Sequence, residues 1–155
     1  MNIRKATLAD SEQIADLIYR VALPFKSVDF TDIGWQFSCE YNSVDKVRER
    51  FLETDYLTLV CMVDEELVGL ISIVNSQVIS QLFVDAEYRY LGIAKQLWHK
   101  VLLTLRKENR QAGFKVKSSS FAVKFYEKLG FKVVAERQCS NGIWFIPMVM
   151  SEGNI

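Results

Sequence analysis

Residues 82–97 hold the side chains and spacing that point most directly to chemistry. A short apolar run ending at Val84 is followed by a turn with Gly92 and then by residues with helical periodicity. The first turn of a helix leaves backbone N–H groups without intrahelical partners, and the helix dipole adds partial positive charge there. Because Gly92 and Ala94 are small enough for an anion to approach this backbone, the pattern predicts an anion site that fits a pyrophosphate.

A glycine-containing turn between a strand and a helix is by itself a weak motif. Dinucleotide sites, P-loops and ordinary tight turns all contain one. The chain has no Gly-Lys-Ser or Gly-Lys-Thr sequence, which excludes a P-loop. A dinucleotide fingerprint needs three glycines at the start of a parallel β-α-β unit, whereas a predicted hairpin precedes this turn. A second motif is therefore needed to identify the ligand.

That second motif lies at residues 118–131, Ser-Ser-Ser-Phe-Ala-Val-Lys-Phe-Tyr-Glu-Lys-Leu-Gly-Phe. Its last seven residues resemble, almost letter for letter, the second block of the GNAT superfamily of acyl-CoA-dependent N-acetyltransferases. Residues 89–94, Arg-Tyr-Leu-Gly-Ile-Ala, match the Arg/Gln-x-x-Gly-x-Gly/Ala signature of the same superfamily. The predicted order of elements matches too, so the resemblance covers residues 1–155 as a single GNAT-type domain.

The resemblance implies acetyl-CoA as the co-substrate and assigns residues to it. The backbone of Leu82, Phe83 and Val84 would pair with the pantetheine arm, which lies like an added strand where strands four and five splay apart. Ser119 occupies a position at which the superfamily often has an asparagine that touches the cofactor. The pyrophosphate would be held by the backbone N–H groups of Tyr90, Leu91, Gly92, Ile93, Ala94 and Lys95.

Two side chains leave alternatives open. Arg89 either steers phosphates or forms a surface ion pair. Tyr126 occupies the position of a tyrosine that, in many members, hydrogen-bonds the CoA sulfur and protonates the departing thiolate. A phenol suits that task because negative charge develops on the leaving sulfur. The alternative is an aromatic side chain that only fills the core; we favour catalysis for Tyr126 and packing for Phe125.

The general base is the least defined part of the implied mechanism. Members often use a carboxylate early on the strand before the turn or at the start of the following strand. Here those positions are residues 78–81, Val-Ile-Ser-Gln, and Phe114, and none is acidic. We expect a water relay or a group from residues 25–42, with Glu40 and Tyr41 as candidates.

The other departures from the superfamily pattern are smaller. Lys117 stands where asparagine is common, and Tyr90 stands where glycine is common, but neither change removes a backbone donor. Asp85 is expected to lie too near the phosphates to act as the base. His99, the single histidine, falls two helical turns beyond Gly92 and is interpreted as a surface residue.

Hydrophobic patterning predicts an α+β fold in the order β-α-α-β-β-β-α-β-α-β-β. This corresponds to a mixed, mostly antiparallel sheet of about seven strands with helices on both faces, a three-layer α/β arrangement. The apolar run at residues 78–84 predicts a central strand. Residues 25–42 are aromatic and predicted to be irregular. Residues 131–137 and 143–150 are predicted as two strands joined around Asn141-Gly142.

Composition limits the class of protein. Half of the 155 residues are hydrophobic and a quarter are charged, as in globular domains. No apolar run is long enough to span a membrane, and the N-terminus lacks the apolar core of a signal peptide, so we expect a cytoplasmic protein that does not contact membranes. The three cysteines have no metal-ligand spacing, and we expect no metal site.

Charge is distributed unevenly along the chain. Residues 1–90 hold 8 Lys and Arg against 15 Asp and Glu, a net charge of −7, and residues 91–155 hold 11 against 4, a net charge of +7. This asymmetry either reflects a dipole across the domain or arises by chance. Without a dense basic stripe, nucleic acid is not an expected partner.

The sequence therefore predicts an N-acetyltransferase that moves an acetyl group from acetyl-CoA to an amine by direct transfer in a ternary complex. The acidic residues 1–90 favour a cationic acceptor, such as a polyamine, an amino sugar or a lysine-like amine. The alternative is an acyl-CoA-binding sensor or regulatory module without turnover, which the missing carboxylate base favours. A homodimer through the last strands is compatible with the pattern.

Overall fold

A central open sheet of eight strands organises residues 1–108 and 113–152, which are the residues that the computed structural model describes. Its strands follow the order β1-β2-β3-β4-β5-β8-β6, and β7 also pairs with β8. Only β4 and β5 are parallel. The predicted mixed sheet with a central fourth strand is confirmed. The strands are β1 Asn2–Lys5, β2 Tyr56–Val63, β3 Glu66–Val74, β4 Val78–Val84, β5 Phe114–Ser118, β6 Lys132–Val133, β7 Gln138–Ser140 and β8 Ile143–Met150.

Helices cover both faces of this sheet, as predicted. On one face, Leu17 of α1 and Val47 of α4 pack in one buried cluster with Leu70 of β3. On the other face, Leu97 of α5 and Tyr126 of α6 share the larger cluster. None of the described helices is both long and apolar enough to cross a bilayer. The helices are α1 Ser11–Ala22, α2 Lys26–Asp29, α3 Asp32–Tyr41, α4 Val44–Arg50, α5 Ile93–Lys107 and α6 Val123–Leu129.

The two parallel strands separate soon after they meet. Their ladder consists of Val78 opposite Lys115 and Ile79 opposite Val116. Immediately after this pairing, the register between β3 and β4 shifts so that Ser80 is an extra residue, which is a β-bulge. A bulge bends its strand and increases the local twist. The carboxyl halves of β4 and β5 therefore diverge, which confirms the splayed strands and leaves a wedge between them, bounded by residues 80–84 and 117–118.

Residues 25–42 are mainly helical, so the prediction of an irregular segment was wrong. Thr31 caps α3, because its Oγ1 accepts a hydrogen bond from the Gly34 N–H at 3.0 Å. The helix has apolar residues Ile33, Phe37 and Tyr41 four positions apart, but this stripe faces outward, and Ile33 is 74% exposed. Their four-residue spacing is nevertheless a helical pattern, and the aromatic composition of the segment was wrongly given more weight than this spacing.

The strand predicted at residues 131–137 was wrong beyond Val133: only β6 falls within it, and a separate strand, β7, begins at Gln138, which gives eight strands instead of about seven. Val133 lies opposite Met148, whereas Gln138 lies opposite Phe145, so two extra residues intervene. The irregularity lies opposite Pro147, which has no N–H to donate to a ladder. The Asn141-Gly142 turn is as predicted, with positive φ angles of 52° and 74°.

The start of α3 is attached to this last hairpin through the backbone. The Thr31 N–H donates to the Gly142 carbonyl oxygen at 2.9 Å, and the Thr31 Oγ1 donates to the same oxygen at 3.0 Å. A Cβ atom added at Gly34 would lie 1.9 Å from that oxygen. Only glycine at position 34 permits this approach of helix to hairpin.

We therefore expect Gly34→Ala to lower the free energy of unfolding by about 1–3 kcal/mol through overpacking. A loss of stability would identify the close approach to the hairpin as the cause, because replacing glycine by alanine inside a helix ordinarily stabilises it by about 0.5–1 kcal/mol. Urea unfolding measures the difference. Ile33→Ala, at the exposed neighbouring position, serves as the control and should stay within about 0.5 kcal/mol of the parent. A stabilised Gly34→Ala protein would show that α3 is not held against the hairpin.

Candidate active site

The two sequence motifs meet at one edge of the sheet. Because β4 and β5 are parallel, the turns that follow them lie at the same edge. The contact is direct: the Arg89 guanidinium carbon lies 5.1 Å from the ring centroid of Phe121 and 5.6 Å from that of Phe25. The two rings lie 5.1 Å apart. Three segments distant in sequence therefore close around the wedge between the strands.

Arg89 forms cation–π contacts rather than the surface ion pair that was one alternative. In the described part of the chain its guanidinium forms no salt bridge, although its charge helps to lower the pKa of Asp85. Stacking on two aromatic faces holds the cation in place while its N–H edges stay available for hydrogen bonds. Sequence reasoning missed the contacts of Phe25 and Phe121 with Arg89. The available signals were the aromatic composition of residues 25–42, for Phe25, and the place of Phe121 within the second motif.

The β4–α5 turn begins with a buried carboxylate that has a structural task. Asp85 is 6% exposed; its Oδ1 accepts the Glu87 N–H at 2.9 Å, and its Oδ2 pairs with the Arg20 guanidinium. Although burial acts to raise the pKa of Asp85, the Glu87 N–H and Arg20 together lower it. Asp85 therefore stays ionised as a cap and an anchor to α1, consistent with its exclusion as the base.

The start of α5 has the features of an anion site. Gly92 is the N-cap residue at φ 80°, no side chain among the described residues caps the helix, and no acidic residue lies in its first turn. A Cβ atom at Gly92 would meet only Gln96 Nε2, at 3.8 Å, so the backbone conformation rather than crowding requires glycine. Ile93 anchors the turn in the core at 2% exposure. The N–H groups of Ala94 and Lys95 have no cap.

Tyr90, two positions before Gly92, has a left-handed backbone conformation. Tyr90 adopts φ 64° and is 92% exposed, and Leu91 beside it is 64% exposed. A left-handed conformation is costly for a residue with a side chain. Tyr90 stands where the resemblance expects glycine, and its φ is one that glycine adopts without strain.

The three residues predicted to face the pantetheine lie along the open edge of β4. Leu82 and Val84 pack against the α5 side of the sheet, and Phe83 packs against the α1 side. The other edge of β4 is paired with β3 as far as Val84. Because β5 pairs only with Val78 and Ile79, the backbone edge from Leu82 to Val84 has no strand partner in the described residues.

Tyr126 is enclosed by aromatic rings. Its side chain is 4% exposed, and its ring centroid lies 5.4 Å from those of Phe125 and of Phe131. No described residue forms a hydrogen bond with its hydroxyl. Burial raises the pKa of Tyr126, because a phenolate would be poorly solvated there. The site therefore holds a neutral phenol at physiological pH.

A family comparison decides what kind of protein has this arrangement. The family model described as an acetyltransferase (GNAT) domain matches residues 27–152. The chain belongs to the GNAT acetyltransferase family. No curated protein sequence gives a significant match.

Solved GNAT structures resemble this chain over almost its whole length. The PaiA N-acetyltransferase from Thermoplasma acidophilum in complex with coenzyme A is 20% identical, with a TM-score of 0.80, covering 97% of this chain and 98% of that chain. A GCN5-related N-acetyltransferase from Rhodopseudomonas palustris is 19% identical, with a TM-score of 0.79 and coverages of 97% and 94%. The aminoglycoside 6'-N-acetyltransferase from Enterococcus faecium is 16% identical, with a TM-score of 0.66 and coverages of 98% and 97%. At these identities the similarity is one of fold.

Within this GNAT fold, the remaining predicted residues have defined contacts. Ser119 Oγ accepts the Ala122 N–H at 3.2 Å and so shapes the turn that leads into α6. Lys117 places its Nζ 4.9 Å from the ring centroid of Phe145. Phe125 packs against the core, as expected, and His99 lies on the exposed side of α5.

The candidate bases lie apart from Tyr126 in the GNAT fold. Glu40 is exposed, and Tyr41 stacks on Phe37 at the end of α3. A buried carboxylate that sequence reasoning missed is Asp29, at 3% exposure, whose Oδ1 accepts from Ser120 Oγ at 2.7 Å. Its Oδ2 has no partner among the described residues but is also sealed from solvent. A substrate proton has no direct path to that oxygen.

The glycine requirement in the β4–α5 turn is testable by a pair of substitutions. We expect Gly92→Ala to lower the free energy of unfolding by about 1 kcal/mol, because a Cβ atom is disfavoured at this positive φ although it meets no clash. Tyr90→Gly should change it by less than about 1 kcal/mol and in the stabilising direction, since glycine relieves the same strain. Urea unfolding of both variants checks the contrast; equal losses would contradict it.

Proposed function

We propose that this GNAT protein transfers an acetyl group from acetyl-CoA to a primary amine by direct transfer in a ternary complex. The observation that supports it best is the wedge between β4 and β5. Its sides are an unpaired β4 edge and the end of β5, and the uncapped start of α5 follows β4. Such a wedge suits a long, thin cofactor with phosphates at one end and a reactive group at the other.

The residues present fit coenzyme A. The N–H groups at the start of α5, including those of Ile93, Ala94 and Lys95, suit a pyrophosphate, since a helix N-terminus favours anions. The open edge of Leu82 to Val84 suits the amide groups of a pantetheine arm, which would add to β4 as an extended peptide adds to a sheet. The similar PaiA structure is described as a complex with coenzyme A, which supports the same ligand here.

Tyr126 is proposed as the catalytic acid. Bound acetyl-CoA supplies the acetyl group and a thiolate leaving group. The buried phenol of Tyr126 keeps its proton, and in apolar surroundings a hydrogen bond to developing negative charge is stronger than in water. Its hydroxyl has no competing partner among the described residues. We propose that it donates a hydrogen bond to the leaving sulfur and then protonates it, and that the proton released by the amine restores the phenol.

The amine must lose its proton, and a water relay is proposed for that step. No carboxylate occupies residues 78–81 or position 114. Glu40 is exposed on α3 and remains a candidate end point of the relay. The net charge of −7 for residues 1–90 supports an acceptor that approaches as a cation, as an ammonium does. A homodimer through the last strands remains a prediction; the terminal strand β6 has Val133 48% exposed.

We expect Tyr126→Phe to reduce kcat by roughly 100-fold, as general acid catalysis contributes about 10²–10⁴. The affinity for acetyl-CoA should change little, because the ring and its packing are kept. Release of free CoA thiol measures the rate, and calorimetry measures the affinity. Tyr19→Phe, at a half-exposed tyrosine of α1, is the matched control. Unchanged kcat in the Tyr126 variant would remove it from this role.

A second candidate function is an acyl-CoA-binding module without turnover. The specific observation that favours it is that the buried Asp29 Oδ2 is inaccessible and that the usual base positions are not acidic. Calorimetric titration with acetyl-CoA followed by a CoA-release assay separates the two functions. Tight binding without release across a broad amine panel would favour the module. Release with any amine would favour the enzyme.

A further inference from the structure

A buried guanidinium lies on the sheet face opposite Tyr126. Arg50, the last residue of α4, is 9% exposed. Its Nη1 donates to the Tyr41 carbonyl oxygen at 2.6 Å, its Nη2 donates to Asn42 Oδ1 at 3.3 Å, and its Cζ lies 4.4 Å from the Tyr41 ring centroid. In the described residues it has no carboxylate partner. Arginine stays charged at physiological pH, and burying a charge without a counter-ion is costly.

Beside Arg50, one row of cross-strand neighbours on the surface of the sheet is polar. Thr58, Ser72 and Gln81 lie directly opposite one another across β2, β3 and β4. Thr58 Oγ1 and Ser72 Oγ are hydrogen-bonded at 2.9 Å. Gln81 Nε2 donates to Asn42 Oδ1 at 2.6 Å, which links this row to Arg50. The next row on the same face is apolar and consists of Val60, Leu70 and Phe83.

The polar row and Arg50 line a cavity of about 210 Å³. The cavity has room for a small molecule, since its volume equals that of about seven waters at ~30 Å³ each. Its other charged lining residues are Lys5 and Glu53, which are both exposed. The single carboxylate of the lining is therefore solvated, whereas the guanidinium of Arg50 is buried. The interior of the cavity is positive and rich in hydrogen-bonding groups.

The cavity adjoins the wedge where transfer is proposed. Gln81 follows the Ser80 bulge on β4, after β5 has separated from it. Tyr56, another lining residue, has its hydroxyl 2.9 Å from Ser80 Oγ. Burial raises the pKa of Tyr56 to about 12, so it is a neutral phenol and does not offset the charge of Arg50. The cavity therefore borders the bulge through Gln81 and Tyr56, on the α4 side of the sheet.

We propose that this cavity binds the acceptor amine through a carboxylate on the same molecule, with Arg50 as the carboxylate ligand. The substrate class is thus a small amino acid or a related amine with a carboxylate. A guanidinium has five N–H donors, and two are used by Tyr41 and Asn42, so a bound carboxylate has donors available. The inference rests on the proposed function, and it agrees with attraction of the ammonium end by the acidic residues 1–90.

The first experiment uses the unaltered protein and pairs of amines that differ only in the carboxylate. The pairs are L-lysine with 1,5-diaminopentane, β-alanine with β-alaninamide, and glycine with glycinamide. Each amine is titrated calorimetrically into the protein–CoA complex, and each is assayed for acetylation. We expect the carboxylate member of at least one pair to bind roughly tenfold more tightly or better, as for hydrogen bonds to a charged group. Equal or weaker binding of the carboxylate member in every pair overturns the inference.

The second experiment tests Arg50 itself. Arg50→Gln keeps a donor for the Tyr41 carbonyl oxygen but removes the charge. We expect Kd and KM for the preferred carboxylate amine to rise roughly 10- to 100-fold, while those of its partner amine, kcat at saturation and the affinity for CoA change little. Arg48→Gln, on the same helix but half-exposed, is the matched control. Arg50→Lys should restore part of the preference, and a uniform loss for both amines would contradict the role.

The outcomes separate this inference from the proposed function. Arg50-dependent binding of carboxylate amines without acetylation would leave the inference intact and reject the enzyme. Acetylation without preference for a carboxylate would support the enzyme and reject the inference. Absence of binding across the panel also overturns the inference. Thermal unfolding checks that each variant is folded. If both Arg50 variants unfold, the paired titrations with the unaltered protein decide the matter alone.

Discussion

The short parallel ladder between β4 and β5 is the constraint on which the rest of the structure depends. Two residue pairs hold the halves of the sheet together, and the bulge at Ser80 then turns β4 away from β5. Had the ladder continued, the N–H and C=O groups of β4 would be committed to β5. Because it stops, one edge of β4 has no strand partner among the described residues, and the polar row that contains Gln81 lies beside the bulge on the α4 face. The two parts of the proposed ternary site therefore meet at one local irregularity.

The walls of this opening are fixed by contacts between segments far apart in sequence. Arg20 of α1 pairs with Asp85 at the start of the β4–α5 turn, and Arg89 joins that turn to Phe25 and Phe121. The close approach of Gly34 to the last hairpin fixes α3 in the same group of contacts between distant segments. Ion pairs that are half-exposed stabilise a fold only weakly. Their value here is positional, since each one fixes a turn beside the wedge.

Sequence reasoning succeeded where the determinants are local. The apolar run of β4, the turn with Gly92 and the periodic face of α5 are all encoded within residues 78–107, where the first motif lies, and the second motif is equally local to the start of α6. It failed where the determinant is elsewhere. The end of the strand predicted at residues 131–137 depends on Pro147 in the partner strand β8, and the start of α3 is held by the distant Gly142 carbonyl oxygen. The placement of Arg50 beside Gln81 needed the tertiary structure, since 31 positions separate them.

Net charge and local charge lead to different statements about the acceptor. The excess of carboxylates in residues 1–90 acts over a distance and is screened within about 8–10 Å at physiological salt. It affects how a ligand approaches. The charge of Arg50 is buried and screened far less, so it affects what is bound. An acceptor with an ammonium group and a carboxylate satisfies both, whereas a simple polycation satisfies only the first. In the proposed acceptor, the buried charge of Arg50 therefore takes precedence over composition.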